Sequence, residues 1–149
     1  MIVRQLGAGD DLSQAIELLF RFFAEEGFEA DRERIAGNAR TMAGLPTCGF
    51  FAAEERGKAI GVATVSLEFG IEYGWWAEMG DLYVLPEHRG AGVSRRLVEA
   101  VEAFLKNKNA SGYQVTVTPF AAEQHDLAKF YARMGFDDEG RVILVKVLA

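Results

Sequence analysis

The chain is poor in cysteine, histidine and basic residues, and each scarcity excludes something. Cys48 is the single cysteine, so no disulfide forms within the chain, and a reducing compartment is expected. In the stretch TCGFFAA it reads as a small buried apolar side chain rather than a nucleophile. The two histidines stand far apart and far from Cys48, which leaves no metal-ligand spacing. Lys and Arg number 16 against 22 Asp and Glu, for a net charge of −6. That argues against a nucleic-acid binder, which needs a basic surface to displace counterions from phosphates. It agrees with a cationic ligand. No apolar run approaches the ~20 residues that cross a bilayer. The opening MIVRQLGAGDD lacks the apolar core of a secretion signal. The expectation is a soluble, cytoplasmic protein with neither membrane nor nucleic acid as partner.

What is present is apolar and ordered. Half of the 149 residues are hydrophobic, enough for a core, and no repeat, low-complexity tract or linker divides them. One domain over 1–149 is expected. MIVRQL reads as a first strand. Asp10 or Asp11 is placed to cap a helix carrying Leu12, Ile16, Leu19, Phe20 and Phe23 on one face, ended by Gly27. A second, less apolar helix is expected from about Asp31 to Met42. GFFAAEERGKAIGVATVSLEF reads as two strands joined by a hairpin at Glu55-Arg56-Gly57-Lys58. WWAEMGDLYVL is a further strand, stopped by Pro86. Gly92 to Lys106 is a helix with Leu97, Val98, Val101, Phe104 and Leu105 in one stripe. YQVTVT alternates as a strand broken by Pro119. Leu127, Phe130, Tyr131 and Met134 share a face of another helix closed by Gly135, and RVILVKVL reads as the last strand. The order β-α-α-β-β-β-α-β-α-β is that of an α/β sandwich, helices covering a mixed sheet.

Between strand and helix lies LPEHRGAGVSRRLVEA. The first turn of a helix carries backbone N–H groups without partners and the positive end of the dipole, so an anion is well held there. Gly90 and Gly92 let the main chain approach a ligand closely. Arg89, Arg95 and Arg96 add positive charge. A Walker A loop would need Gly-Lys-Ser/Thr, which is absent. A dinucleotide fingerprint would need a third glycine where Arg95 stands.

The stretch DLYVLPEHRGAGVSRRLVEA resembles the central strand, loop and helix of the GNAT acetyltransferase superfamily, whose loop reads Gln/Arg-x-x-Gly-x-Gly/Ala. Arg89, Gly92 and Ser94 occupy those positions, serine standing where glycine or alanine is usual. QHDLAKFYARMGF is similar to the later signature of that family, an aromatic-tyrosine pair ahead of Gly-Phe. The resemblance implies a mixed, mostly antiparallel sheet with a splayed central strand and about four flanking helices. It implies acetyl-CoA as cosubstrate, its pyrophosphate held by the run Arg89, Gly90, Ala91, Gly92, Val93, Ser94 and Arg95. The splayed strand would offer main-chain groups of Leu82, Tyr83 and Val84, the Leu82 N–H polarising the acetyl carbonyl. Gln124 would touch the coenzyme. Tyr131 would act as general acid toward the departing thiolate.

Transfer of an acetyl group to an amine also needs a base. Some relatives carry a glutamate where this chain has Gly80. Glu78, two residues earlier on the same side of a regular strand, is preferred to Asp81, which would point away unless the strand is bulged. LEFGIEYGWWAEMGD interleaves carboxylates with aromatic rings, a composition suited to an amine cation. Trp75 and Trp76, with Glu25 and Glu26 at the end of the first helix, are the expected acceptor site. The implied function is an N-acetyltransferase for a small cationic amine such as a polyamine, an aminoglycoside or an amino compound, working as a homodimer. The alternatives are a protein or peptide N-acetyltransferase and a non-catalytic acyl-CoA sensor.

Overall fold

The computed structural model describes residues 1–148; the side chains of Phe120 and Gln124 lie outside the described residues. The chain forms two compact units, Met1–Thr116 and Val117–Ala149.

The first unit holds strands β1 (Ile2–Gln5), β2 (Cys48–Glu55), β3 (Lys58–Gly70), β4 (Gly74–Val84) and β5 (Gly112–Val115), with helices α1 (Ser13–Glu25), α2 (Arg32–Ala43) and α3 (Val93–Asn107). The strands lie side by side in sequence order, antiparallel except for the parallel pair β4–β5. Arg56 and Gly57 both take positive φ, 52° and 77°, which fits the two-residue hairpin between β2 and β3. Asp31 caps α2 as expected, its carboxylate accepting from Arg34 N at 3.1 Å. Neither Asp10 nor Asp11 caps α1, whose N-cap is Leu12. Asp10 accepts from Gly7 N at 2.7 Å and Asp11 from Ser13 N at 2.9 Å, so both carboxylates shape the loop ahead of the helix.

Alternation along the strands sorts the core into two layers. Phe50, Ala52, Val62 and Tyr83 face α1 and α2, packing with Ile16, Leu19 and Ala39. The opposite face is covered by α3, whose Leu97 and Val101 are fully buried. Each such side chain contributes about 2 kcal/mol by leaving water. Phe51 meets Phe104 edge-on at 5.9 Å. Gly61 is where α3 comes nearest, for a Cβ there would lie 3.0 Å from Leu97 and 3.2 Å from Val93.

Two irregularities in β4 matter for function. The register against β3 jumps between Thr64↔Asp81 and Val65↔Met79, so Gly80 is the extra residue of a β-bulge. The pairing with β5 covers only Trp76 to Met79. From Gly80 to Val84 the strand is bonded to β3 alone among the described residues, which is the splay the resemblance implied.

The second unit holds α4 (Pro119–His125) and α5 (Leu127–Arg133). Thr118 caps α4, accepting from Ala121 N at 3.2 Å, so Pro119 opens a helix as well as ending the extended stretch. One helix was expected here, and the left-handed Asp126 (φ 48°) divides two short ones. The expected last strand is not formed: residues 136–148 carry no helix or strand. An apolar run becomes a strand only with a partner ladder, and none is described beside it. The expected α/β class, with a mixed and mostly antiparallel sheet, is the one found, with five helices in place of four.

Candidate active site

The turn from β4 to α3 is glycine-lined and leads into a helix without a side-chain cap. A short 3-10 turn, Pro86–His88, leads to Gly90 and Gly92, both left-handed at φ 80° and 83°. A Cβ on either glycine would meet nothing within 4 Å, so the loop presents open main chain. Gly92 is the N-cap of α3 and no side chain caps the helix. The first bond of the helix is Arg96 N to Gly92 O at 3.1 Å, so the N–H groups of Val93, Ser94 and Arg95 precede any intrahelical acceptor. Val93 is buried and pins the turn to the sheet, while Ala91 and Arg95 are exposed and Ser94 is half-buried. These residues fit a pyrophosphate.

Arg89 is not a loose cation. Its Nε donates to Val84 O at 2.9 Å, its Nη2 lies 3.2 Å from Glu25, and its guanidinium sits over the Tyr83 ring at 5.4 Å. Tyr83 is tied to the same carboxylate. Burial first, then its hydrogen bond to Glu25, pushes the phenol up to about 12. Glu25, itself exposed, thus closes a cluster at the end of α1, whereas Glu26, the C-cap of that helix, is half-buried.

The bulge decides how the two candidate bases are placed. Ser66 and Thr64 share a face of β3, and their partners across the ladder are Glu78 and Asp81. Gly80 therefore turns both carboxylates to one face, where a regular strand would have opposed them. That face is the one carrying Tyr83, toward α1 and α2. Glu78 accepts from the Thr116 hydroxyl at 2.7 Å, and Asp81 from the Thr64 hydroxyl at 2.5 Å. Burial raises the Asp81 carboxyl above its ordinary value, and the Thr64 bond offsets part of the rise. Thr64 and Thr116 were not foreseen, and Gly80, a lone glycine inside a strand pattern, is the signal from which the bulge could have been read.

The tryptophans separate. Trp76 shares the face of Glu78; it packs over Gly112 and donates to Gln114 at 2.9 Å. Trp75 points to the other face, edge-on to Phe69 at 5.1 Å. Leu82 and Val84 face α3 with their side chains, so only their main chain borders the splay. In the second unit, Tyr131 packs edge-on against Phe130 and Phe136, and burial pushes its hydroxyl up to about 12. Gln124 sits on α4 with its side chain outside the described residues.

The acetyltransferase (GNAT) family matches residues 12–136. The chain belongs to that family. It is 26% identical over 136 residues to an uncharacterized N-acetyltransferase of Methanocaldococcus jannaschii, covering 87% of this chain and 58% of that one. It is 26% identical over 139 residues to an IAA acetyltransferase of Azospirillum brasilense, covering 93% of this chain and 85% of that protein. Among solved structures, AAC(6')-Iy in complex with the bisubstrate analog CoA-S-monomethyl-acetylneamine superposes with a TM-score of 0.84 at 21% identity, over 99% of this chain and 98% of that one. That likeness shows the same fold.

Proposed function

We propose that this chain transfers the acetyl group of acetyl-CoA to the primary amine of a small cationic acceptor. The observation that carries this is the uncapped, glycine-lined start of α3 beside a strand that, among the described residues, has no ladder partner on its β5 side from Gly80 to Tyr83. The main-chain N–H groups of residues 93–95 hold the pyrophosphate, with Arg95 contributing charge. The open edge of β4 aligns the thioester, and the Leu82 N–H donates to its carbonyl oxygen as charge builds there. The structural relatives crystallised with CoA, or with an analogue joined to an aminoglycoside, support both ligand classes.

Asp81 is the proposed base, directly or through a water. Both carboxylates face the same side, and burial raises the proton affinity of Asp81 above its ordinary value, which suits a base. Glu78 and Glu25 then serve as the negative wall for the ammonium, with Trp76 as its aromatic side. The acceptor ammonium gives up one proton to Asp81 before attack. The new C–N bond forms as the C–S bond breaks, and the second amine proton leaves as CoA departs as a thiol. Tyr131 is proposed to donate a hydrogen bond to the departing sulfur. Its phenol, at about 12, holds its proton more tightly than a thiol near 8.5 does, by roughly 5 kcal/mol. Stabilising the thiolate by hydrogen bonding is therefore the better use of it than full proton transfer.

The deciding experiment is thiol release from acetyl-CoA at pH 7 to 9 with polyamines, aminoglycosides, amino acids and lysine peptides. Acceptor-dependent release with small amines establishes the proposal. Release with peptides alone transfers the assignment to protein acetylation. CoA binding without release from any of them leaves the sensor.

A further inference from the structure

The loop resemblance gives Arg89 to the pyrophosphate, but the fold gives its guanidinium other partners. Its Nε donates to Val84 O at 2.9 Å, and its Nη2 lies 3.4 and 3.2 Å from the two carboxylate oxygens of Glu25. One cation is thus held between the end of β4 and the end of α1, beside the Tyr83 ring. Paired with Glu25, Arg89 presents little net charge to an anion. Its backbone nevertheless stands next to Gly90, at the head of the turn. A cation rooted in the anion loop and neutralised by a carboxylate of the proposed acceptor wall links the two substrates.

The Arg89 and Glu25 side chains are 39% and 38% exposed, so water screens the ion pair and a competing cation reaches it. The carboxylate does not depend on Arg89 for its position. Tyr83 is buried, packs its ring 5.5 Å from Phe22 of α1 and donates its hydroxyl to Glu25. Glu25 therefore stays in place when its partner changes from a guanidinium to an ammonium. The attacking amine itself must be neutral. The ammonium that keeps Glu25 occupied during transfer therefore belongs to a second amine of the same acceptor.

We propose that Glu25 couples the acceptor to the coenzyme: it holds Arg89 until an ammonium of a diamine or polyamine takes its place, and the released Arg89 then turns its charge to the pyrophosphate. The exchange swaps one cation for another at a single carboxylate and makes or breaks no covalent bond. Each ligand then tightens the binding of the other by the same factor. The inference rests on the small-amine reading above and narrows it to acceptors with two or more amines. Glu25 acts here as a positioning residue, through Arg89, ahead of any chemistry.

The test is calorimetry of CoA binding to the full chain, with Glu25→Gln, Arg89→Gln and the double variant beside the wild type. Glu25→Gln removes the charge and keeps an oxygen acceptor for Tyr83, and both substituted side chains reach solvent, so the fold tolerates the changes. Glu25→Gln is expected to bind CoA about fivefold more tightly than the wild type. In the Arg89→Gln background the same substitution is expected to leave CoA affinity within about twofold. That second comparison separates the release of Arg89 from the loss of one negative charge, which would tighten CoA in both backgrounds. Saturating spermidine is expected to raise the CoA affinity of the wild type by about the same fivefold factor and to leave Glu25→Gln as it was. Equal CoA affinity in wild type and Glu25→Gln overturns the proposal, and so does an equal gain in both backgrounds. A spermidine effect that is absent from the wild type, or that persists in Glu25→Gln, overturns it as well. None of these titrations involves acetyl transfer, so thiol release decides the proposed function and CoA affinity decides the coupling.

Discussion

Asp81 combines a cost with a use. Its carboxyl is held above its ordinary pKa by burial, so the folded chain binds that proton more tightly than the unfolded chain does. The stability this provides is complete below the unfolded pKa, near 4, and is lost as pH rises through the folded value. Asp81→Asn removes the penalty and keeps an acceptor for Thr64. Its urea midpoint is expected to exceed that of the wild type at pH 7, with the gap closing toward pH 4. Its turnover is expected to fall ~100-fold or more with the KM for acetyl-CoA unchanged. Turnover that survives in Asp81→Asn but is lost in Glu78→Gln would return the base to Glu78, which the sequence pattern favoured. Tyr131→Phe is expected to slow turnover while leaving CoA affinity, measured by calorimetry, as it was. Because the phenol stays protonated up to about 12, the wild-type rate should show no alkaline loss due to Tyr131 below about pH 11. At this scale the sequence disclosed the candidate groups but not their partners. That Glu78 and Asp81 share a face depends on one extra residue in the ladder, and composition does not fix where a ladder slips. The cluster of Arg89, Glu25 and Tyr83 joins residues 64 positions apart, beyond the reach of any local pattern.

The elements were far more legible than these contacts. Periodicity located α1, α2 and α3, because a helix that buries one face leaves a period in the sequence, and the turn residues located the β2–β3 hairpin, whose strands are buried on both faces. It failed at the last strand for a physical reason. A strand, unlike a helix, finds its hydrogen bonds outside itself, so the apolar run at 142–148 announces a need for a partner without saying whose. The turn before α3 was legible because glycine spacing encodes backbone conformation directly. That encoding can be tested with two substitutions at one position. Gly92→Ala forces a Cβ into φ 83° and is expected to cost about 1 kcal/mol of stability, with CoA binding largely kept, since the space around that Cβ is empty. Gly92→Glu carries the same strain and adds a carboxylate at the proposed pyrophosphate site, so CoA affinity is expected to collapse. Equal CoA affinity in the two variants would show that the turn does not hold the anion. Gly112→Ala probes the other end of the sheet. Its Cβ would lie 2.6 Å from the Trp76 ring, so the β4–β5 contact must open, and a loss of about 2 kcal/mol is expected by urea denaturation.

The whole molecule sets two charges against each other. Its net charge of −6 repels the anionic cosubstrate and attracts a cationic acceptor. Acetyl-CoA must therefore be held by short-range contacts, and under the proposed function the main-chain N–H groups at α3 supply them where salt screens little. Under the same proposal the acceptor is drawn by carboxylates spread over the α1 end, β4 and the β3–β4 hairpin, many of them solvent-exposed and separated by more than a contact distance. Interactions of that kind fade when the screening length falls from about 10 Å at 0.1 M salt to a few Å at 1 M. Raising the salt concentration is therefore expected to lower kcat/KM for a polyamine several-fold through KM, with kcat nearly constant. The loss should be smaller for a monoamine, which meets fewer of these charges at once. The KM for acetyl-CoA should hold steady or improve as repulsion by the net charge is screened. Initial rates at varied salt, with each substrate saturating in turn, measure all three. A polyamine KM that ignores salt would mean that the carboxylate-rich face is not where the acceptor arrives.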